Sequence, residues 1–486
     1  MTALSTASRL DRRTRAGVLA LLLATFLGQF ESFVVVVALP RIQQDLAADF
    51  GEVQLAAAVF VFACAAGLVV GGRAGDRYGR RRMFLVAVGA FTASALACAL
   101  STGPYLLIVS RLGQGLSAAV MIPQVLSLLR VMVPTPAAQA RAVSAYGVAM
   151  GVGVVAGLSG GGLLIGLDPT GLGWRTAFLV MVPAGVVILL LGRWGVPESR
   201  DSGSQTLDLT GAALTLACLP CLLTPLMLGP THGWPAWVWL VLAAGVGVGA
   251  LLVRQQRSGA RRGSNVLFPP WLFRPAGLAT SMAALLFFYA ANAGWFLILT
   301  FHLQRGLGLG ATATGLVFAP LGTGFAVGSA VGGRWAGRHG MRTAVTGARV
   351  TALSLVGAAT ATVLPDAAQV AALAMLAGIA GVGQGMLVAP LLAGILARTR
   401  VDDVGATTGV AATVIQFGLA LGFAGTGVSY RLLADGAAGT AAEDRPAFAV
   451  SAVLLAATVA IAASLCKRLQ VAEKLSGTTA VDAPTN

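Results

Sequence analysis

Long apolar runs separated by short polar breaks organise this chain. They fall at about 17–40, 53–72, 83–101, 105–130, 142–166, 176–195, 209–229, 235–253, 277–303, 313–333, 343–364, 368–396, 405–430 and 447–466. Most approach or exceed the roughly 20 residues that carry a helix across a bilayer. Runs of this length and apolarity are helices, because lipid offers no partner for open backbone groups. The pattern therefore predicts an all-α integral membrane protein with fourteen transmembrane helices.

Composition agrees with that reading. Of 486 residues 57% are hydrophobic and 10% charged, and mean hydropathy is +0.83. A soluble domain carries about 25% charged residues; lipid, not water, must cover this surface. The net charge of +15 would point to nucleic acid if it lay on one soluble face. It lies instead in the breaks between runs. With the N-terminus inside, five of the 33 Lys and Arg residues fall in outer loops (Arg41, Arg175, Arg305, Arg431, Arg445) and two inside helices (Arg111, Arg349). The remainder lie on the inner side, which places both termini in the cytoplasm. Only an even number of spans keeps that alternation. The first run is too long for the apolar core of a signal peptide, and reads as an uncleaved span. Thirty-one arginines against two lysines, with abundant Ala and Gly, point to a bacterial plasma membrane.

Two breaks echo each other. Gly72-Arg73-Ala74-Gly75-Asp76-Arg77-Tyr78-Gly79-Arg80-Arg81-Arg82 is answered 261 positions later by Gly333-Arg334-Trp335-Ala336-Gly337-Arg338-His339-Gly340. Gly113-Gln114-Gly115 is answered 270 positions later by Gly383-Gln384-Gly385. Two six-helix halves of this size would repeat after about 190 residues. The excess equals two further helices between the halves. The predicted organisation is a tail (1–16), a six-helix bundle (17–195), a linker with two additional helices (196–275), a second six-helix bundle (276–466) and a tail (467–486). The basic linker segment at 254–275 reads as a headgroup contact, and both tails as mobile.

The first echo also carries a resemblance. Residues Gly72–Arg82 resemble the loop 2–3 signature of the major facilitator superfamily, with Ala74 where leucine is usual. Leu107 to Gly115 is similar to that superfamily's fourth-helix signature in proton-driven exporters. Ala38-Leu39-Pro40 and Trp174-Arg175 resemble the fourteen-span drug:proton antiporter branch. Gly153, Gly157, Gly161 and Gly162 resemble its fifth-helix signature, with Ser144 for the first glycine and Leu158 for the usual proline. The resemblance implies two halves rocking about a central site. It also implies a conformational role for Gly72, Asp76, Arg77, Gly79 and Arg80. Read by themselves, the glycines permit a sharp reversal, and Asp76 can cap a helix or bond an arginine. Glycines four apart form one smooth helix face for close packing.

Glu31 is the one carboxylate clearly at membrane depth, where an ionisable side chain marks a functional candidate. The family branch usually has aspartate there, and Phe33 and Val36 replace the usual Thr and Asn. Glu31 precedes Pro40 by nine residues, about 13 Å at 1.5 Å per residue. Arg111 follows the outer start of its helix by about 10 Å. At that shared depth Glu31 is the expected proton carrier, tuned by Arg111 and Gln114. The rival reading is a static buried ion pair. Gln29, Gln124, Tyr146, Tyr289, Asn292, Trp295, Gln384 and Gln416 are the candidate cavity lining, each with interhelical hydrogen bonding or packing as its structural alternative. Together they describe a mostly apolar pocket for an amphipathic molecule.

Other chemistries are poorly represented. His232, His302 and His339 are scattered and suggest no metal cluster. Cys218 and Cys221 have redox spacing but lie in an apolar run as small fillers. A phosphate-binding loop of the ATPase type is absent, so neither enzymatic activity nor a cofactor is expected. The expected activity is proton-coupled efflux of drug-like or antibiotic-like molecules by a monomer. The alternatives are export of a native metabolite (a siderophore or self-made antibiotic), a membrane sensor that binds without transporting, and an uptake carrier.

Overall fold

A computed structural model of the chain describes residues 11–133, 136–169, 171–200, 208–229, 232–264, 266–268, 270–273, 277–399, 404–434 and 441–481. Fourteen helices are long and apolar enough to span a membrane. They are α1 (Arg12–Asp45), α2 (Phe50–Tyr78), α3 (Arg80–Ala99), α4 (Pro104–Met132), α5 (Pro136–Val155, continued by a π-turn Ala156–Gly160 and by Gly161–Leu167) and α6 (Arg175–Gly195). Then come α7 (Leu209–Leu228), α8 (Ala236–Arg261), α9 (Leu278–Phe301, prolonged by a π-turn His302–Gly306), α10 (Ala311–His339), α11 (Arg342–Thr360), α12 (Asp366–Ala397), α13 (Val404–Ala434) and α14 (Ala441–Val481). Among the described residues there is no strand.

Alternation along fourteen spans puts the start of α1 and the end of α14 at one end of the molecule, the near end. The turns after α1, α3 and α5 lie at the other, the far end. Helix neighbours repeat between the halves. α2 packs on α4, α1 on α5 and α6, and α3 on α4 and α6; correspondingly α10 packs on α12, α9 on α13 and α14, and α11 on α12 and α14. The protein is thus two six-helix bundles related by pseudo-symmetry, with α7 and α8 inserted between them.

The inserted pair stands beside the seam. α7 touches both α2 and α13, whereas α8 turns most of its surface outward. Its near end is tied down by Asp208, which accepts hydrogen bonds from the Gly211 N–H (2.8 Å), Gln255 (2.9 Å), Gln256 (2.7 Å) and the Leu267 N–H (3.0 Å). Burial alone would raise that carboxyl, but these donors outweigh it and hold it below the usual carboxylate range. Gln256 closes the knot by accepting from the Phe268 N–H at 2.8 Å. Arg73 then donates to the Val266 carbonyl at 3.3 Å, joining the knot to α2.

Several local expectations need correction. The reversal after α2 does not occupy 72–82: α2 continues to Tyr78, and the turn is Gly79 alone, at φ 104°. Only a residue free to adopt that φ makes the reversal. Gly72 and Gly75 are helical, and a Cβ on Gly75 would strike the Gln124 side chain. Gly75 lets α4 approach α2, whereas a Cβ on Gly72 would meet Pro123 at an ordinary 3.6 Å. The first helix passes through Pro40 to Asp45, because its last turn, Arg41–Asp45, is polar and extends the helix beyond its apolar run. Residues 12–16 and 467–481, assigned to tails, are helical; residues 1–10 and 482–486 lie outside the described structure.

Candidate functional site

Glu31 and Arg111 meet. Their side chains form an ion pair between α1 and α4, with 0% and 1% of the side chains exposed. Helix geometry places them there: Arg111 lies seven residues into α4, which starts with proline at its first turn, where no N–H is needed. The guanidinium has further partners. Its Nε donates to the Ala56 carbonyl of α2 at 3.0 Å, and Nη1 donates to Gln114 Oε1 at 3.1 Å. The face of Phe60 covers it, 4.6 Å from ring centroid to guanidinium carbon, a cation–π contact strengthened by the absence of water. Gln114 is buried with it and reaches Cys98 and Met181 at 3.8 Å.

Glu31, by contrast, depends on one partner. Its Oε2 has no hydrogen bond among the described residues. The remaining bonds of Arg111, to Ala56 and Gln114, would keep the guanidinium satisfied when Glu31 is neutral. Arg111 therefore has partners besides Glu31.

Gly153, Gly157 and Gly161 of α5 pack against α1, the helix that carries Glu31. A Cβ at Gly153 would lie 2.7 Å from both the Phe26 carbonyl and Gln29 Cβ, and one at Gly157 would lie 2.6 Å from the Phe30 carbonyl. Gly161 abuts Val34. Their spacing brings the backbone of α5 directly against α1, flanking Glu31. Leu158, where the family has proline, lies inside the π-turn Ala156–Gly160, which interrupts the helix as a proline would. Gly162 faces the other half, against Ala311 and Gly315 of α10. The side chain of Ser144 lies outside the described residues.

The loop residues also have partners. Asp76 accepts from Arg80 Nε (2.9 Å) and Nη2 (2.8 Å), one turn apart across Gly79. The Arg80 N–H donates to the Ser199 carbonyl at 2.9 Å, fastening the loop to the segment after α6. Arg77 lies over Tyr78 at 5.4 Å.

The eight cavity candidates do not form one group. Gln124 is buried between α4 and α2, donating to the Gly71 carbonyl at 2.8 Å. Trp295 is buried against Phe448 of α14. Asn292 and Gln384 are also buried. Gln29, Tyr146, Tyr289 and Gln416 are half-buried, and Gln416 hydrogen-bonds Cys64 of the opposite half. Arg349 is exposed on α11. Cys218 and Cys221 are free thiols.

Contacts between the halves gather toward the far end. Gln304 donates to the Val37 carbonyl (2.9 Å), Gln54 to the Phe423 carbonyl (2.8 Å) and Thr312 to the Gly162 carbonyl (3.3 Å). Phe33 meets Phe296 edge-on at 5.3 Å, and Phe50 meets Phe301 at 4.9 Å. None of these glutamines stood out in the sequence. Their partners are backbone carbonyls, which leave no residue-type signal.

Known proteins share this architecture. The chain is 34% identical over 409 residues to a probable actinorhodin transporter of Streptomyces coelicolor, covering 84% of this chain and 71% of the relative. It is 33% identical over 457 residues to a cephamycin export protein of Amycolatopsis lactamdurans, 91% of each chain. A tetracenomycin C resistance and export protein of Streptomyces glaucescens is 30% identical over 358 residues, 73% of this chain and 65% of that one. The fold matches a bacterial homologue of the human lysosomal transporter Spinster, solved inward-facing and occupied, with TM-score 0.69 at 16% identity over 95% of this chain and 97% of the other. The sequence profile of the Major Facilitator Superfamily matches residues 21–423. The chain belongs to that superfamily, and it is a membrane transporter, not an enzyme.

Proposed function

We propose that this transporter expels amphipathic drug-like or antibiotic-like molecules in exchange for protons, alternating access between its two halves. The observation that carries the coupling is the Glu31–Arg111 pair, fully enclosed beside the α1–α5 contact. In the closed pair Glu31 is an anion. Proton binding neutralises it and frees Arg111 to its Ala56 and Gln114 partners, which loosens α1 from α4 and lets the bundle rock. The arginine-rich loops assign the near end to the cytoplasm. The far-end contacts then correspond to a molecule closed to the outside. A monomer without a bound cofactor suffices for this cycle.

The relatives' names favour a second, narrower reading: export of an antibiotic made by the producing cell itself. A panel of tetracenomycin C, actinorhodin, a cephamycin and ethidium, measured as resistance and efflux with and without a protonophore, tests both. Proton-coupled efflux predicts that the protonophore abolishes export of every compound carried. The Glu31→Gln protein, present in the membrane at wild-type level, loses at least about tenfold of that export. Efflux that survives the protonophore, or survives in E31Q, excludes Glu31 as the carrier.

A further inference from the structure

The far end of the second half encloses a titratable cluster that the Glu31 mechanism does not use. His302, 0% exposed at the start of the π-turn that prolongs α9, pairs through Nδ1 with Asp444 of α14. The other carboxylate oxygen accepts from the Tyr430 hydroxyl of α13. Nε2 of the imidazole faces the Gln369 amide of α12 at 2.8 Å. Phe448 stacks on the ring at 4.1 Å and 16°. Side chains of four helices thus form one cluster.

Gln369 is itself fully buried, and its Oε1 has no hydrogen-bond partner among the described residues. An amide serves both states of the ring. Its NH2 donates to the lone pair of a neutral imidazole; turned over, its oxygen accepts from the N–H of an imidazolium. Proton capture needs no new group: Nε2 takes one proton from water, and the Gln369 amide rotates by half a turn.

The net charge of the cluster decides which conformation each state prefers. With His302 neutral, the enclosed group carries the Asp444 charge. With His302 protonated, the pair is neutral overall, and a neutral pair is much cheaper to bury than a lone charge. The charged groups around it are otherwise engaged. Arg445 turns away to Asp366 and to the Thr362 carbonyl. Arg305 lies over Phe301 at 5.1 Å. Across the seam, Glu52 caps the start of α2 by accepting from the Asp49 N–H. What seals the cluster from that side is Phe50 of α2, which rests on both Phe301 and Tyr430 (4.9 and 6.1 Å). When the halves part at the far end, Phe50 leaves and the cluster meets water.

We propose that His302 and Asp444 form a second proton-binding site, whose occupation from the far-side medium favours closure of the far end. The proposal rests on the alternating-access reading above, and adds to it a proton-linked step in the second half, separate from Glu31. Acid outside then drives the empty carrier back toward the cytoplasm-facing state.

The test uses the full chain in lipid nanodiscs, without cargo. Spin labels at Leu172→Cys and Val363→Cys, exposed far-end positions of the two halves, report the distance across the seam in a Cys221→Ser, Glu31→Gln background. Removing Glu31 leaves His302 as the responding site. The expected result is a closed-to-open ratio that rises about threefold or more from pH 8 to pH 5.5, within the tenfold per pH unit allowed for one linked proton. His302→Gln, which keeps hydrogen bonding but cannot charge, abolishes the rise; a merely structural role would shift the ratio equally at every pH. Two populations in a pH-independent ratio overturn this proposal and leave the Glu31 reading standing. A single fixed distance at every pH overturns alternating access as well. Should H302Q fail to assemble, 15N-histidine spectra of a His232→Gln, His339→Gln protein read the ring directly. A His302 imidazole that keeps one charge state from pH 8 to 5.5 overturns the proposal.

Discussion

At the scale of single residues the chemistry of this protein depends on which buried charges have more than one partner. Arg111 has a carboxylate, a carbonyl, an amide oxygen and an aromatic face; Glu31 has Arg111. Removing the arginine therefore strands a carboxylate in the bundle. Arg111→Met is expected to lose about 3–5 kcal/mol, the usual cost of breaking a buried pair from one side. The double variant Glu31→Gln, Arg111→Met strands no charge and recovers most of that loss. Thermal unfolding in detergent measures both, and a double variant no more stable than R111M would mean that the pair carries no mutual charge compensation. Their shared depth was legible in the sequence, because a carboxylate and an arginine inside apolar runs are conspicuous and helix rise fixes their height; that they pair directly was not. The His302 cluster was not. Its partners are 67 and 142 positions away, on helices whose order around the bundle no local pattern reveals, and a lone histidine at a helix end reads as a loop residue. The cavity candidates show the same limit. Polarity at depth marked Gln124 correctly as unusual, but it could not say that the side chain turns to Gly71 rather than to the seam.

Helices are positioned by where their backbones can touch. The Gly153, Gly157 and Gly161 row was readable as one smooth face, and its partner is α1, the helix of Glu31. The second half repeats the device: a Cβ at Gly418 of α13 would lie 2.7 Å from the Leu286 carbonyl of α9. Where sequence reasoning misjudged glycine, at Gly72 and Gly75, charge and glycine together suggested a long loop. Helical packing against α4 had an equal claim, and a single residue of positive φ was enough for the turn. Gly151 provides the contrast. It lies on α5 two residues before the packed row, and a Cβ there meets nothing within 4 Å. Gly157→Ala is expected to force α5 from α1 and to cost about 1–3 kcal/mol, as overpacking does. Gly151→Ala is expected to be neutral or to gain up to about 1 kcal/mol from helix propensity. Unfolding midpoints of the two variants settle the matter: equal shifts would show that the α1–α5 approach does not depend on the missing side chain. The same G157A protein should also lose proton-driven efflux more than its stability explains, because displacing α1 at Phe30 and Phe33 shifts the helix that holds Glu31 against Arg111.

For the whole molecule, the question is what two inserted helices would do to a carrier whose two halves are proposed to rock. Counting residues revealed that they exist, since the repeat of the Gly-Gln-Gly motif is too long for six helices. It could not reveal their seat, which depends on surfaces that meet only after both bundles form. The structure shows α7 touching α2 of one half and α13 of the other. These two contacts are not equivalent. On the α2 side the pair is fastened at both ends: at the far end Gly51 admits the Met227 carbonyl, and at the near end Arg73 bonds the Val266 carbonyl beside the Asp208 knot. These fastenings predict that the pair stays with the first half, and that α13 slides along it when the halves rock. A rigid attachment on one side and a bearing on the other make opposite predictions for cross-links. Cysteines joining α7 to α2 should leave efflux of the compounds carried in the panel within about twofold of wild type. Cysteines joining α7 to α13 should stop it, and a reducing agent should restore it. Mass spectrometry of the cross-linked peptides confirms which bond has formed. If the α7–α13 bond forms fully and export continues, the inserted helices move with both halves at once. The rocking motion would then have to pass through some other seam.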